Sequence, residues 1–178
     1  MILAAHQPNL FPWLAYYRKM ALCDVFVILS HVQYEKNGFI NLFNHKGKWF
    51  TAPIKSGLDP INTKEYVNGS DVSLTNMYFI YGFMGLFGIK QDKIAFDSDC
   101  KKHGTERIIE LCKRHNCDEY LTNPDAEIKY LDVKLLEANG IKVIPFTPSS
   151  DYKVSMIEAL EKWGIEGVSK MVNKKWIR

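Results

Sequence analysis

The clearest pattern in this chain is an alternation of short apolar runs with longer amphipathic segments. Apolar runs of four to eight residues, bounded by polar or turn residues, predict β-strands. They cover residues 1–5, 24–30, 49–54, 93–97, 120–122 and 141–146. The run at 24–30 is the strongest, because a continuous apolar stretch is typical of a strand buried on both faces of a parallel sheet.

Helical periodicity fills most of the intervals between these runs. The predicted helices cover residues 10–22, 105–114, 126–139 and 155–163. Asn9 suits the N-cap of the first helix, and Gly140 and Gly164 follow the last two as typical helix stops. Because alternating strands and helices favour βαβ units, we predict an α/β fold. It is a mostly parallel sheet flanked by helices, in a single domain over residues 1–178.

Three segments depart from this alternation. Turn-forming residues at 36–38 and 44–48 predict a small β-hairpin excursion after the second strand. Residues 55–75 are rich in Gly, Asn, Asp, Ser and Thr, which predicts a long loop or short strand pairs. Residues 77–87 are aromatic and apolar on nearly every side, which favours core packing or a contact between copies in a homo-oligomer.

The composition is that of an ordinary soluble globular protein. The 178 residues are 47% hydrophobic and 24% charged, and 23 basic against 20 acidic residues give a net charge of +3. This weakly basic balance permits a nucleic-acid partner without requiring one. No apolar stretch approaches the ~20 residues of a membrane span, and the N-terminus lacks a signal-peptide pattern. We therefore expect a cytoplasmic protein whose four cysteines are thiols.

The polar residues directly after the first strand form the first candidate site. His6, Gln7 and Asn9 follow residues 1–5, and ligands of parallel α/β sheets bind outside the carboxyl ends of the strands. Pro8 and Asn9 alone would turn the chain and begin a helix. Since a cap needs one polar residue, His6 and Gln7 exceed that requirement and indicate binding or proton transfer.

A second polar cluster follows the second strand and contains Gln33, Lys36 and Asn37. Strands joined by one crossover helix are usually neighbours, so we expect this cluster at the same sheet edge as His6. A histidine, two amides and a lysine can bind a carboxylate and move a proton. Lys36 has an alternative interpretation as a solvated turn residue.

A third candidate is Arg107, near the start of a predicted helix. A cation there is unfavourable for the helix dipole, which predicts an anionic ligand as its partner. The candidate catalytic residues are thus His6 and Lys36, and the candidate substrate-binding residues are Gln7, Asn9, Gln33, Asn37 and Arg107.

No motif identifies a cofactor or a metal. A Gly-rich phosphate loop is absent from the sequence. The spacing Cys100-x-x-His103 and Cys112-x-x-His115 is plausible for zinc. Cys112, however, lies on the apolar stripe of its helix, which points it into the core. We therefore predict no metal site and leave the cofactor open.

Several of these segments together resemble one protein family. The motifs His6-Gln7-Pro8-Asn9-Leu10-Phe11-Pro12-Trp13, residues 24–29 and Val32-Gln33-Tyr34-Glu35-Lys36-Asn37 look like the WbqC-like protein family. Weaker matches follow in order at residues 49–54, 105–109, 119–121, 130–132 and 140–143. The chain departs from the family at 30–31, where an acidic residue is usual, at 41–44, where arginines are usual, and in a shortened segment at 147–153.

The resemblance implies a role in surface-polysaccharide (O-antigen) biosynthesis. The suggested activity is transfer of an acyl or aminoacyl group, glycine for example, from a small-molecule donor to the amine of an amino sugar. His6 would act as general base, and Lys36, with Asn37, Gln7 and Gln33, would hold a carboxylate or stabilise an oxyanion. Arg107 would bind a phosphate or carboxylate.

Two other functions stay open from the sequence. One is a nucleotide-binding enzyme, which the polar end of the first strand permits. The other is a nucleic-acid-associated or base-modifying protein of phage or mobile-element origin. Net basic charge and the tail residues Lys170, Lys174, Lys175 and Trp176 favour the latter. Cys23 is an alternative nucleophile, but the end of an apolar helix favours a core position for it.

Overall fold

A five-stranded parallel sheet forms the centre of the molecule, as the alternation of strands and helices predicts. The computed structural model describes residues 1–36, 38–55, 59–124 and 131–175. The sheet strands are β1 (Ile2–His6), β2 (Val25–Ile28), β5 (Ile94–Phe96), β6 (Glu119–Thr122) and β7 (Lys142–Pro145). Their order across the sheet is β5-β2-β1-β6-β7, and every neighbouring pair is parallel.

Helices cover both faces of this sheet. They are α1 (Leu14–Leu22), α2 (Val72–Phe87), α3 (Gly104–Arg114), α4 (Val133–Ala138) and α5 (Met156–Val172). Successive strand residues point to opposite faces. Ile2 and Ala4 accordingly pack with α1, α2 and α5, whereas Leu3 and Ala5 pack with α3 and α4. Both faces are apolar, which explains why the strands read as continuous hydrophobic runs.

The chain reverses its direction across the sheet between β1 and β6. It proceeds outward from β1 to β2 and β5, then returns to the other side of β1 for β6 and β7. Counting sheet strands along the chain, the order is 3-2-1-4-5, that of doubly wound sheets. The pairing of β1 with β6 consists of Ile2↔Glu119 and Leu3↔Tyr120, so the two strands diverge toward their carboxyl ends. This divergence opens a crevice at the point where such folds bind ligands.

The hairpin excursion lies outside the main sheet. Strands β3 (Leu42–His45) and β4 (Lys48–Thr51) pair antiparallel. Lys46 and Gly47 have φ of 50° and 77°, which matches the two-residue turns that follow the twist of paired strands. The Lys46 ammonium lies 2.7 Å from Glu161 and docks the hairpin on α5. The predicted fold class, an α/β domain with a mostly parallel sheet and a hairpin after the second strand, is confirmed.

The start of the first helix was predicted wrongly. Helix α1 begins at Leu14 and its N-cap is Trp13, so Asn9 does not cap it. The preceding residues are held by other parts of the chain. The Leu10 N–H donates to the Phe39 carbonyl (2.9 Å), and the Leu14 N–H donates to Val154 (2.9 Å). These long-range bonds keep residues 10–13 out of the helix.

Gly164 interrupts the last helix at the predicted position, because its φ of 65° and ψ of 176° are not helical. A second helical segment, which the sequence did not predict, follows this kink and continues α5 to Val172. Val168 and Val172 of that segment are fully buried in the core, and this packing accounts for it. Residues 126–130 of the predicted third helix lie outside the described residues, and α4 begins at Val133.

The aromatic segment at 77–87 forms part of α2. Met77, Ile80 and Met84 are buried in the core, whereas Tyr78 is 71% exposed. A homo-oligomer through this segment stays a prediction. Among the residues that the structure describes, no helix combines the length and the apolar character that a membrane crossing requires.

Candidate functional site

A cleft follows the carboxyl edge of the sheet and crosses the crevice between β1 and β6. It consists of two adjoining cavities of about 710 and 720 Å³ that share His6, Lys19 and Asn123. The first is here called the polar compartment and is lined by Gln7, His31, Gln33, His103, Arg107 and Thr122. The second is called the aromatic compartment and is lined by Asn9, Trp13, Tyr16, Phe39 and Phe146.

His6 is the last residue of β1 and lies at the junction of the compartments. Its Nδ1 lies 3.3 Å from the Gln7 carbonyl, which assigns the ring proton to Nδ1 and leaves Nε2 as an acceptor. The ring packs edge-to-face on Tyr16, with centroids 4.9 Å apart. Burial, and secondarily the charge of Lys19, lowers the pKa of His6 to about 3. His6 is therefore neutral at pH 7.

The Gln7 carbonyl holds the turn after β1. It also accepts hydrogen bonds from the Asn9 backbone N–H (3.0 Å) and the Tyr16 hydroxyl (3.2 Å). The side chain of Gln7 lines the polar compartment, and the buried Asn9 lines the aromatic compartment. One backbone group thus fixes the positions of three predicted site residues, His6, Gln7 and Asn9.

Lys19, a site residue that sequence reasoning missed, projects from α1 into both compartments. Ala15 and Tyr16 lie one turn earlier on the same helix face and line the aromatic compartment with it. Lys19 is only 5% exposed. Among the described residues, no carboxylate raises its pKa, and burial lowers that pKa from 10.5 to about 8.

Asp97 organises the neighbouring part of the site and was also missed. It follows β5 directly and is fully buried. Its carboxylate accepts the backbone N–H groups of Ser30 (3.0 Å) and His31 (3.1 Å), lies 3.1 Å from the His31 Nδ1, and forms an ion pair with Arg107. Asp97 thereby ties the loop after β2 to helix α3.

Arg107 lines the polar compartment, in agreement with the predicted grouping of site residues. Its Nε donates to the Lys102 carbonyl at 2.8 Å, and Asp97 accepts from Nη1. The position of Arg107 near the start of a helix predicts an anionic partner, and the Asp97 carboxylate of the same chain is such a partner. A bound anionic ligand at Arg107 stays a prediction.

The cluster at 33–37 reaches the cleft only in part. Gln33 lines the polar compartment together with Glu35. Lys36 is exposed and is not among the side chains that line either compartment. Asn37 lies outside the described residues. The structure thus brings His6, Gln7, Gln33 and Arg107 to one cavity and Asn9 to the adjoining one, but does not bring Lys36 to them.

The cysteines lie apart from this chemistry. All four are buried and free. Burial raises the pKa of Cys23 to about 12 and that of Cys112 to about 12, which disfavours the nucleophilic thiolate. Within the described ranges, no group of three His, Cys, Asp or Glu side chains is placed to hold a metal ion.

Cationic side chains dominate the charge of the cleft. Lys19 and Lys153 line it, together with Arg107, whose charge Asp97 offsets, against Glu35 as the acidic lining residue among those described. A concave site with this balance concentrates anions. The cleft is therefore suited to a negatively charged ligand.

Comparison with known proteins identifies one family. The model of the WbqC-like protein family matches residues 7–71 and 58–156, which include strands β2, β5, β6 and β7 of the sheet, the hairpin and the cleft residues from Gln7 to Lys153. No curated protein and no solved structure matches the sequence. The chain belongs to the WbqC-like protein family, which is linked in general to polysaccharide biosynthesis.

Proposed function

We propose that this protein transfers an acyl or aminoacyl group to the amine of a sugar acceptor in surface-polysaccharide biosynthesis, with the cleft as its active site. The observation that carries the proposal is the junction of the compartments. There a neutral imidazole and a buried lysine without a carboxylate partner among the described residues line the same space. A base and a cation in one water-poor site are what amide formation needs.

The step moves one proton in two transfers, from the acceptor amine to His6 and from His6 to the leaving group. The acceptor nitrogen attacks the carbonyl carbon of an activated acyl donor, a C–N bond forms, and the bond to the leaving group breaks. His6 Nε2 accepts the proton that the attacking amine loses and returns it to the leaving group. A pKa of about 3 makes His6 a weak base in the free protein. A bound anion that offsets the Lys19 charge raises that pKa.

Lys19 takes the role of holding an anionic group of the substrate in this proposal. Lys36, to which the sequence assigned it, is exposed and absent from the cleft lining. Lys19 keeps its charge at pH 7, because its pKa of about 8 lies above that pH. Its attraction for a negative charge is stronger in the buried cleft than in water. Gln7 and Gln33 supply hydrogen-bond donors for the developing oxyanion from the polar compartment.

The test is amide formation detected by mass spectrometry. The purified chain is incubated with amino-sugar acceptors and activated acyl and aminoacyl donors. We expect His6→Asn to lower kcat by about 100-fold or more, and Lys19→Met to lower kcat/KM by about tenfold or more. Lys142→Met is the matched control, since Lys142 is exposed at the opposite, amino edge of β7.

Two results would overturn the proposal. One is the absence of amide product across the donor and acceptor panel with the wild-type chain. The other is a product whose rate survives the His6→Asn substitution, since that would remove His6 from the proton transfer.

A further inference from the structure

Resting on the proposed function, we infer that the acceptor enters the cleft as a nucleoside diphosphate sugar. Its diphosphate lies against Lys19 at the junction, its nucleobase occupies the aromatic compartment, and its sugar occupies the polar compartment. Three observations support this assignment: an unpartnered cation, the chemical contrast between the compartments, and the absence of a backbone phosphate site in the first turn.

The cation is the first observation. Removing a charged lysine from water is strongly unfavourable unless an anion compensates it. Lys19 is 5% exposed and has no ion pair within the described part of the chain, although the neighbouring Arg107 has one. An anion supplied by a ligand at the junction would compensate this charge. Both compartments meet at Lys19, so the anion belongs in the middle of the ligand.

The contrast between the compartments is the second observation. The aromatic compartment presents Trp13, Tyr16 and Phe39, and the Trp13 and Phe39 rings meet edge-to-face with centroids 5.5 Å apart. Aromatic side chains bind nucleobases by stacking, with little dependence on the base. The buried indole Nε1–H of Trp13 also has no acceptor among the described residues.

The polar compartment has the opposite character. Gln7, His31, Gln33 and Thr122 offer hydrogen-bonding groups that suit the hydroxyls of a sugar. Each compartment, at about 710 and 720 Å³, has the size of a small-molecule site. Two such spaces joined at a cation can accommodate a ligand with two ring-bearing ends and a charged linker.

The turn after β1 is the third observation. Doubly wound sheets commonly bind diphosphates with backbone N–H groups of a Gly-rich turn and the following helix N-terminus. Here Pro8 lacks an N–H, the Asn9 N–H donates to Gln7, and the Leu14 N–H donates to Val154. The backbone donors of Asn9 and Leu14 are thus committed and Pro8 has none, so the anion is assigned to the side-chain cation Lys19 instead.

The test is equilibrium binding by titration calorimetry, with uridine diphosphate glucose, inorganic pyrophosphate and free glucosamine as probes. We expect uridine diphosphate glucose to bind most tightly and pyrophosphate more weakly. Lys19→Met should weaken both by at least tenfold, whereas Lys19→Arg, which keeps the charge, should weaken them less. Trp13→Leu should weaken the nucleotide sugar at least tenfold and leave pyrophosphate within about twofold. Lys142→Met is the control.

Folded protein is verified by circular dichroism for every variant. The inference is wrong if no uridine, cytidine, guanosine, adenosine or thymidine diphosphate sugar binds at millimolar concentration. Undiminished binding by folded Lys19→Met would also overturn it. If free amino sugars are acylated while nucleotide sugars neither bind nor react, the inference fails and the proposed function stands. If nucleotide sugars bind and no donor is ever transferred, the proposed function fails and the inference stands.

Discussion

Two buried cations face the same cleft in opposite surroundings. Lys19 and Arg107 are each 5% exposed. Arg107 is enclosed by acceptors, since Asp97 forms an ion pair with it and the Lys102 carbonyl accepts from its Nε. Lys19 has no carboxylate among the described residues to offset its charge. Equal burial therefore does not mean equal function: Arg107 holds the architecture of the site, and Lys19 is available to a ligand.

The chemistry of the two side chains suits this division. A guanidinium presents a planar set of donors that matches a carboxylate and nearby carbonyls, whereas an ammonium shifts its pKa readily when buried. The lowered pKa of Lys19 follows from its burial without a compensating anion. Substitutions of Asp97, Lys19 and His31 measure this difference between the two cations.

The largest expected effect is the loss of stability when the ion pair between Asp97 and Arg107 is broken. Asp97→Asn leaves the buried Arg107 without its carboxylate and weakens the anchor of residues 30 and 31. Breaking a buried ion pair from one side costs about 3–5 kcal/mol. We expect urea denaturation at pH 7 to show a loss of that size, whereas the exposed Asp99→Asn should change stability by less than about 0.5 kcal/mol. A loss below about 1 kcal/mol for Asp97→Asn would contradict the assignment.

Removing the unpaired charge of Lys19 should have the opposite effect, a gain in the free energy of unfolding. The fall in the pKa of Lys19 from 10.5 to about 8 means that its ammonium destabilises the fold below pH 8. Lys19→Met should therefore raise the free energy of unfolding at pH 7 by up to about 3 kcal/mol.

The pH dependence tests the cause of that gain. As pH rises through 8, folded Lys19 loses its proton while the unfolded chain keeps it, so wild-type stability rises. The gap between Lys19→Met and wild type should narrow by about 1 kcal/mol from pH 7 to pH 9. Denaturation of both proteins at each pH measures it, with Lys142→Met as reference. A Lys19→Met protein less stable than wild type at pH 7 would refute this account.

A smaller effect is expected at His31. Its Nδ1 lies 3.1 Å from Asp97, and its side chain is 33% exposed. His31→Ala removes this contact, together with the contact of the same Nδ1 to the Ser30 hydroxyl (3.2 Å), and leaves the backbone N–H bonds in place, so we expect a loss of about 1 kcal/mol. The same substitution in the Asp97→Asn background should cost clearly less, because the shared partner has changed. Equal losses in both backgrounds would mean that the contact contributes nothing.

The smallest effect concerns ligand binding. If the Lys19 ammonium holds a diphosphate, affinity should fall as the free lysine deprotonates above its pKa of about 8. His6, with a pKa of about 3, and Cys23, with one of about 12, do not titrate in this range. We expect about a fourfold loss of affinity for uridine diphosphate glucose between pH 7 and pH 8.5. Affinity that is flat across this range in titration calorimetry would exclude Lys19 from the contact.

Much of the fold follows from local pattern. The strands follow from apolar runs, and the β1–β2 neighbourhood follows from a single crossover helix. Three other features depend on bonds and packing between distant residues. They are the position of β6 on the far side of β1, the N-terminal boundary of α1 and the second helical segment of α5 after Gly164. Such tertiary contacts override local propensity.

The residues of the candidate site likewise divide into those that local sequence pattern predicts and those that depend on tertiary structure. His6, Gln7 and Gln33 were found because they follow the ends of predicted strands. Asp97 and Asn123 have a similar signal, because Asp97 is the last residue of the strand predicted at 93–97 and Asn123 directly follows the strand predicted at 120–122. Lys19 has no such signal, because a single lysine in an amphipathic helix usually faces water. Lys19 reaches the junction only through the order of the strands and the orientation of α1 about its own axis.

The short pairing of β1 with β6 has a consequence for how the molecule opens. The two halves of the sheet meet along a seam of Ile2↔Glu119 and Leu3↔Tyr120, and the cleft lies directly above it with walls from both halves. A ligand in the cleft therefore contacts both halves of the sheet and holds them together. At 100 times its Kd, such a ligand adds about 2.7 kcal/mol to the free energy of unfolding. Backbone amides along this seam should exchange with solvent fastest in the empty protein and slowest in the loaded one. Substrate supply would thus regulate the resistance of the chain to proteolysis.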